Sequence, residues 1–226
     1  VDEDAQDKSV VLLDDRILET PGIALQSTVR EVARMAEIVE ESLEVAKRVL
    51  FTLKKEDIQF LKEEEDTVDK LSAGITEYAV KLGSLRISEK EHQDVAHLLQ
   101  MVSDIERVSD YCENISEFAE TMYEKKVSFS ETGAAHLREM FDVCADSYKF
   151  ACEAFTEQSR EKALKVIEKE TQADDLEISL RSKHIKRLAA NQCTTDAGIV
   201  FLDALVCLER ISDHARNIAE EVLEGV

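Results

Sequence analysis

Residues 106–117 read ERVSDYCENISE, and residues 209–220 read ERISDHARNIAE. Every shared member of the two stretches is displaced by 103 positions. Upstream of each, Glu65, Asp69 and Leu71 are matched by Glu170, Asp174 and Leu176 at an offset of 105. Matches that keep a nearly fixed spacing over two separate segments mark an internal duplication. Each stretch lies within a helical apolar period: Val102, Ile105, Val108, Cys112, Ile115, Ala119 and Met122 in the first, Val200, Ala204, Leu208, Ile211, Ala215, Ile218 and Val222 in the second. The repeating unit is therefore helical.

The same period extends outward. Thr20-Pro21 has the form of an N-cap followed by proline at the first helical position, where its missing N–H costs nothing. Val29, Val32, Met35, Val39, Leu43, Ala46 and Leu50 carry that first helix to about Leu53. A second runs from about Lys55 to Leu82, and Ser88-Glu89-Lys90-Glu91 is a capping-box signature opening the third. Helices over about 130–155, 160–188 and 191–223 repeat the arrangement. The expected fold is all-α, with six long helices as two tandem, pseudo-symmetric three-helix bundles. The expected domains are a leader at 1–19, a first repeat at 20–128 and a second at 129–226. The leader is acidic, with apolar patches at Val10 to Leu13 and Ile17-Leu18 that can pack onto the first helix.

Composition agrees. One proline and six glycines in 226 residues leave few turn formers for a sheet. A formal charge of -21 repels phosphate backbones and argues against nucleic acid as partner. It favours cations instead. Of the five cysteines, Cys144, Cys152, Cys193 and Cys207 lie in apolar patterns and read as small core residues; none is spaced as CxxC, so a zinc site built from them is disfavoured. No apolar run reaches the length of a membrane span. The chain starts at Val1 instead of Met, which suggests an excised piece.

The candidate functional signal is Glu-x-x-x-Asp, which occurs at Glu65/Asp69, Glu106/Asp110, Glu170/Asp174 and Glu209/Asp213. Residues four apart share a helix face, so two such carboxylates can hold one hard cation. With 49 acidic residues in 226, acidic pairs at this spacing arise about ten times by chance, so one alone means little. Their duplication, with Asn114 and Asn217 extending the rows beside the apolar stripe, is the stronger observation. Two readings stay open at this point: cation binding, or polar helix pairing with Arg107 and Arg210 as counter-ions. His214 reads as a solvated residue in preference to a secondary ligand. No HExxH, glycine-rich phosphate loop or nucleophilic triad supports an enzyme.

The stretches 104–115 and 208–218 resemble the signature helices of the PhoU family. The resemblance implies two three-helix bundles with acidic motifs on the second and third helices of each. It further implies metal at two sites, Glu65, Asp69, Glu106 and Asp110 in one, and Glu170, Asp174, Glu209 and Asp213 in the other. The ion expected is divalent or trivalent: Fe, Zn, Mn, Mg or Ca. Residues 13–36, from Leu13-Asp14-Asp15 through Pro21-Gly22 to Met35-Ala36, resemble the junction behind the membrane part of sodium/phosphate cotransporter-related proteins. That likeness implies a regulatory domain at the cytoplasmic face of the membrane, partnered by a membrane-spanning sodium/phosphate transporter portion. A homodimer is a further expectation. The alternative is a free-standing accessory regulator of phosphate uptake.

Overall fold

The structure is a computed structural model that describes residues 13–225. A short 3-10 helix at Asp15–Glu19 is followed by six α-helices: α1 (Pro21–Thr52), α2 (Lys55–Gly83), α3 (Glu89–Lys125), α4 (Glu131–Glu157), α5 (Arg160–Ala189) and α6 (Thr195–Glu224). The described residues contain no strand.

Local chemistry sets most of the boundaries. Ser88 and Glu91 form the reciprocal capping box expected from the sequence. Ser130, Ser159 and Thr194 each accept a backbone N–H in the first turn of the helix that follows. Thr20 occupies the N-cap position of α1, but its side chain makes no capping bond. The last helix starts four residues later than its apolar period suggests, because Asn191 turns left-handed at φ 54 and Thr194 supplies the cap.

The C-termini make do with little glycine. Leu53, Lys126 and Gln158 adopt φ of 53, 53 and 50 at the ends of α1, α3 and α4. At two of these ends the amide of the next residue closes a Schellman turn: Val127 N–H donates to Met122 O at 3.1 Å and Ser159 N–H to Ala154 O at 2.9 Å.

Within each half the three helices pack on one another, α2 lying against α1 and α3, α5 against α4 and α6. The halves join through α3 on α6 and α1 on α4. One continuous core runs from Val32 to Val222 across that seam. A smaller cluster of Ala24, Tyr78, Ala79, Leu82 and Val95 sits beneath Ile17 and Leu18 of the 3-10 helix. This part of the leader therefore packs as expected. Of its other patch, Val10 to Leu12 lie outside the described residues, while Leu13 packs against both clusters.

Two polar contacts register the seam. The buried Tyr148 hydroxyl donates to Ala36 O at 3.2 Å. Asp104, only 2% exposed, accepts from His214 Nδ1 at 2.7 Å and Asn217 Nδ2 at 2.9 Å. His214 is thus a partner of a buried carboxylate and not a solvated residue. Its ring also faces Tyr111, its counterpart at the 103-residue offset, with centroids 5.9 Å apart. Cys112, Cys144, Cys152 and Cys207 are buried, but Cys193 is a half-buried loop residue and not part of the core. Its place is the α5–α6 connection, where no helix carries it inward.

Candidate metal centres

Glu65 and Asp69 stand one turn apart on α2, and Asp110 faces them from α3. Each offers an oxygen within 4.8 Å of the others. Glu170 and Asp174 on α5 and Asp213 on α6 repeat the arrangement within the same limit. Oxygens bound to one hard ion stand no farther apart than about twice a metal–oxygen distance of roughly 2.0–2.5 Å, so both triads have the spacing of a cation's ligands.

The remaining two residues of the expected sets lie beside the triads. Glu106 accepts a hydrogen bond from the Ser72 hydroxyl, one helical turn beyond Asp69. Glu209 has Arg210 at 3.5 Å. The aspartates of α3 and α6 also keep an arginine each: Arg107 reaches Asp110 at 3.2 Å and Arg210 reaches Asp213 at 3.3 Å. Arginines thus stand on the outer side and converging carboxylates between the helices.

Crowding shows in the acid strengths. Partial burial, followed by the charges of Asp69, Glu113, Asp66 and Asp110, raises the Glu65 pKa to about 7. Burial is also the leading cause of the upward shifts at Asp110, Asp174, Glu209 and Asp213. A cation placed among these oxygens would relieve the repulsion.

A third group was not legible in the sequence. His97, Glu221 and Glu224 also offer three ligand atoms within 4.8 Å, joining α3 to the last turns of α6. His97 is hydrogen-bonded to Glu221. At the 103-residue offset these positions meet Val200, Phe118 and Thr121, so duplication gives no hint of them.

Two tandem three-helix units define a class of helical bundle in which acidic residues converge between helices in each unit. The PhoU domain family model matches residues 32–119 and 137–222, and the chain belongs to that family. The phosphate-specific transport system accessory protein PhoU homolog 1 of Thermotoga maritima is 26% identical over 194 residues, covering 85% of this chain and 83% of that protein. The putative inorganic phosphate export protein YjbB of Salmonella typhimurium is 25% identical over 94% of this chain, which spans only 39% of that relative's length. The crystal structure of PhoU from Pseudomonas aeruginosa superposes with a TM-score of 0.84 at 23% identity, covering 90% of this chain and 99% of that one. These relatives are named for transport and not for catalysis. Among the described residues, no helix is long and apolar enough to cross a membrane.

Proposed function

We propose that the chain is a non-enzymatic accessory regulator of phosphate transport, and that metal bound at its two acidic triads sets how its helices pack. The observation that carries the metal part is the convergence of Glu65, Asp69 and Asp110, with its repeat at Glu170, Asp174 and Asp213. An ion there favours the helix spacing in which its ligands meet, and any partner that reads that spacing is coupled to metal occupancy. The accessory role is supported by relatives such as the Thermotoga maritima protein, which align over most of their own length.

Elemental mass spectrometry of protein purified without chelator, paired with phosphate uptake by cells producing it, tests the proposal. Stoichiometric Fe, Zn, Mn, Mg or Ca that disappears when the six triad carboxylates become amides, together with altered uptake, is the expected result. Protein that stays metal-free after incubation with all five ions defeats the metal part. Uptake indifferent to deleting the protein defeats the regulatory part.

A second reading makes the chain the cytoplasmic domain of a membrane-spanning, sodium-dependent phosphate transporter. The alignment to YjbB favours it, since nearly all of this chain matches a minor share of that protein. Hydrophobic spans encoded upstream of Val1 in the same reading frame would decide for it. A homodimer, under either reading, is checked by light scattering.

A further inference from the structure

The turn from α5 to α6 holds a cation that the rest of this acidic chain leaves unneutralised. Arg187, in the last turn of α5, is 7% exposed. Guanidinium is permanently protonated and can only donate. Its Nη1 therefore donates to His136 Nδ1 at 2.9 Å and its Nη2 to His184 Nδ1 at 3.1 Å. Both rings accept at Nδ1 and are neutral. Burial and the neighbouring guanidinium lower the pKa of each, in keeping with that state. The Arg187 Nε–H is buried and has no acceptor. The Phe201 ring lies 5.0 Å from Cζ.

Three buried carboxylates each meet an arginine: Glu31 has Arg34, Asp57 has Arg48, and Glu170 has Arg216. Among the described residues, no carboxylate lies within ion-pair distance of Arg187. A buried cation without a counter-charge is costly, and a bound anion is one way to meet that cost.

The surroundings suit an anion. A cavity of about 10 Å³ adjoins Arg187, lined by Ser130 and Gly133 of the α4 entry, Cys193 of the loop, and Ala197 in the first turn of α6. Two long helices thus begin at this point and present positive potential there, although the Gly133 and Ala197 N–H groups are already given to Ser130 and Thr194. Gly133 helps keep it open: a Cβ there would stand 3.2 Å from Ser130 Oγ and 4.0 Å from Arg187 Nη2.

We propose that Arg187, with the first turns of α4 and α6, forms a receptor for a small tetrahedral oxyanion of the inorganic phosphate class. The cavity holds about one water and opens partly to solvent, so the anion sits at its mouth with one oxygen directed inward. This site is independent of the acidic triads.

The test uses inorganic phosphate, sulfate and chloride at fixed pH and ionic strength. Phosphate should shift the Arg187 Nε–H resonance saturably and raise the melting temperature by about 5 °C or more at hundredfold excess over Kd. Arg187→Met keeps the apolar stem, removes the guanidinium, and should lose the thermal response. Phosphate and sulfate also stabilise proteins by exclusion from their surfaces, so the difference between parent and variant is the quantity read. An Nε–H resonance unmoved by phosphate overturns the proposal even if the variant fails to fold. So does an equal response to chloride, or an undiminished thermal shift in Arg187→Met.

Discussion

The two acidic triads occupy equivalent points of the repeat, yet their neighbours differ in sign. Position 113 beside the first triad is glutamate; its counterpart beside the second is Arg216. Arg216 Nη1 donates to Glu170 at 2.9 Å and its Nε to Glu220 at 2.8 Å. These bonds raise the arginine's pKa and place a fixed cation on the second triad. The first has no such bridge, and Glu113 adds to the repulsion at Glu65. Position 72 differs too: Ser72 serves Glu106, while its counterpart Glu177 is tied to Arg181. Duplication kept the carboxylate positions while their neighbours diverged. The first triad thus has one arginine, Arg107 on Asp110, whereas the second has two, Arg210 on Asp213 and Arg216 on Glu170.

The largest test of this contrast removes ligands. Glu65→Gln with Asp69→Asn and Asp110→Asn should cost on the order of 100-fold or more in Mn affinity at the first site, judged against the roughly 10–100-fold typical of outer-shell changes. The matching set at Glu170, Asp174 and Asp213 should cost about tenfold less, because Arg216 already competes there. Equal losses by calorimetry would abolish the distinction.

A charge swap sharpens it. Glu113→Arg should weaken the first site and Arg216→Glu strengthen the second, each by roughly tenfold, or about 1.4 kcal/mol. Titration of both single variants and the double shows whether the ranking inverts.

Stability without metal gives a smaller effect. Arg216→Gln leaves the Glu170 carboxylate, 7% exposed, without its cation. Because Arg216 is itself 42% exposed, the expected loss is about 1–3 kcal/mol, less than for a fully buried pair. Chemical denaturation measures it, and saturating metal should restore part of it. Glu113→Gln should be neutral or slightly stabilising.

A further test is a pH slope. Glu65 titrates at about 7 in the folded protein against 4.5 for the free side chain, so the folded state binds more protons between those values. Stability from this group is therefore full below pH 4.5 and lost as pH rises to about 7. Metal affinity should rise over the same window as the proton leaves. Melting curves of chelated protein from pH 5 to 8 should show the slope, and Glu65→Gln should flatten it. A variant with an unchanged slope would place its origin elsewhere.

Most of the fold was legible because long amphipathic helices advertise themselves. Ser88 with Glu91, the stripe from Val95 to Met122 and Pro21 each depend on neighbours within a few residues. The entry to α6 was misplaced because Asn191 stands where the apolar period could begin, and only the backbone shows it turning the other way. The repeat singled out the four Glu-x-x-x-Asp pairs, and the family resemblance grouped Glu65 and Asp69 with Glu106 and Asp110. What the repeat could not show is which carboxylate faces its neighbours: Glu106 lies one turn from Asp110 on the same face, yet turns to Ser72. Arg187 was invisible for a related reason. Its significance rests on His136 and His184 arriving from residues 51 and 3 positions away, and on the lack of any carboxylate beside it.

The Asp104–His214 bond has a consequence for ancestry and assembly. At equivalent positions, the first half carries Asp104 and Tyr111 and the second Cys207 and His214. Two copies of the first half, docked through the same seam, would bury a pair of carboxylates with no imidazole to meet them. Two copies of the second would bring imidazoles with no acid. The joint is a plug and socket cut from one original pattern, and it rewards the linked pair over either half coupled to itself.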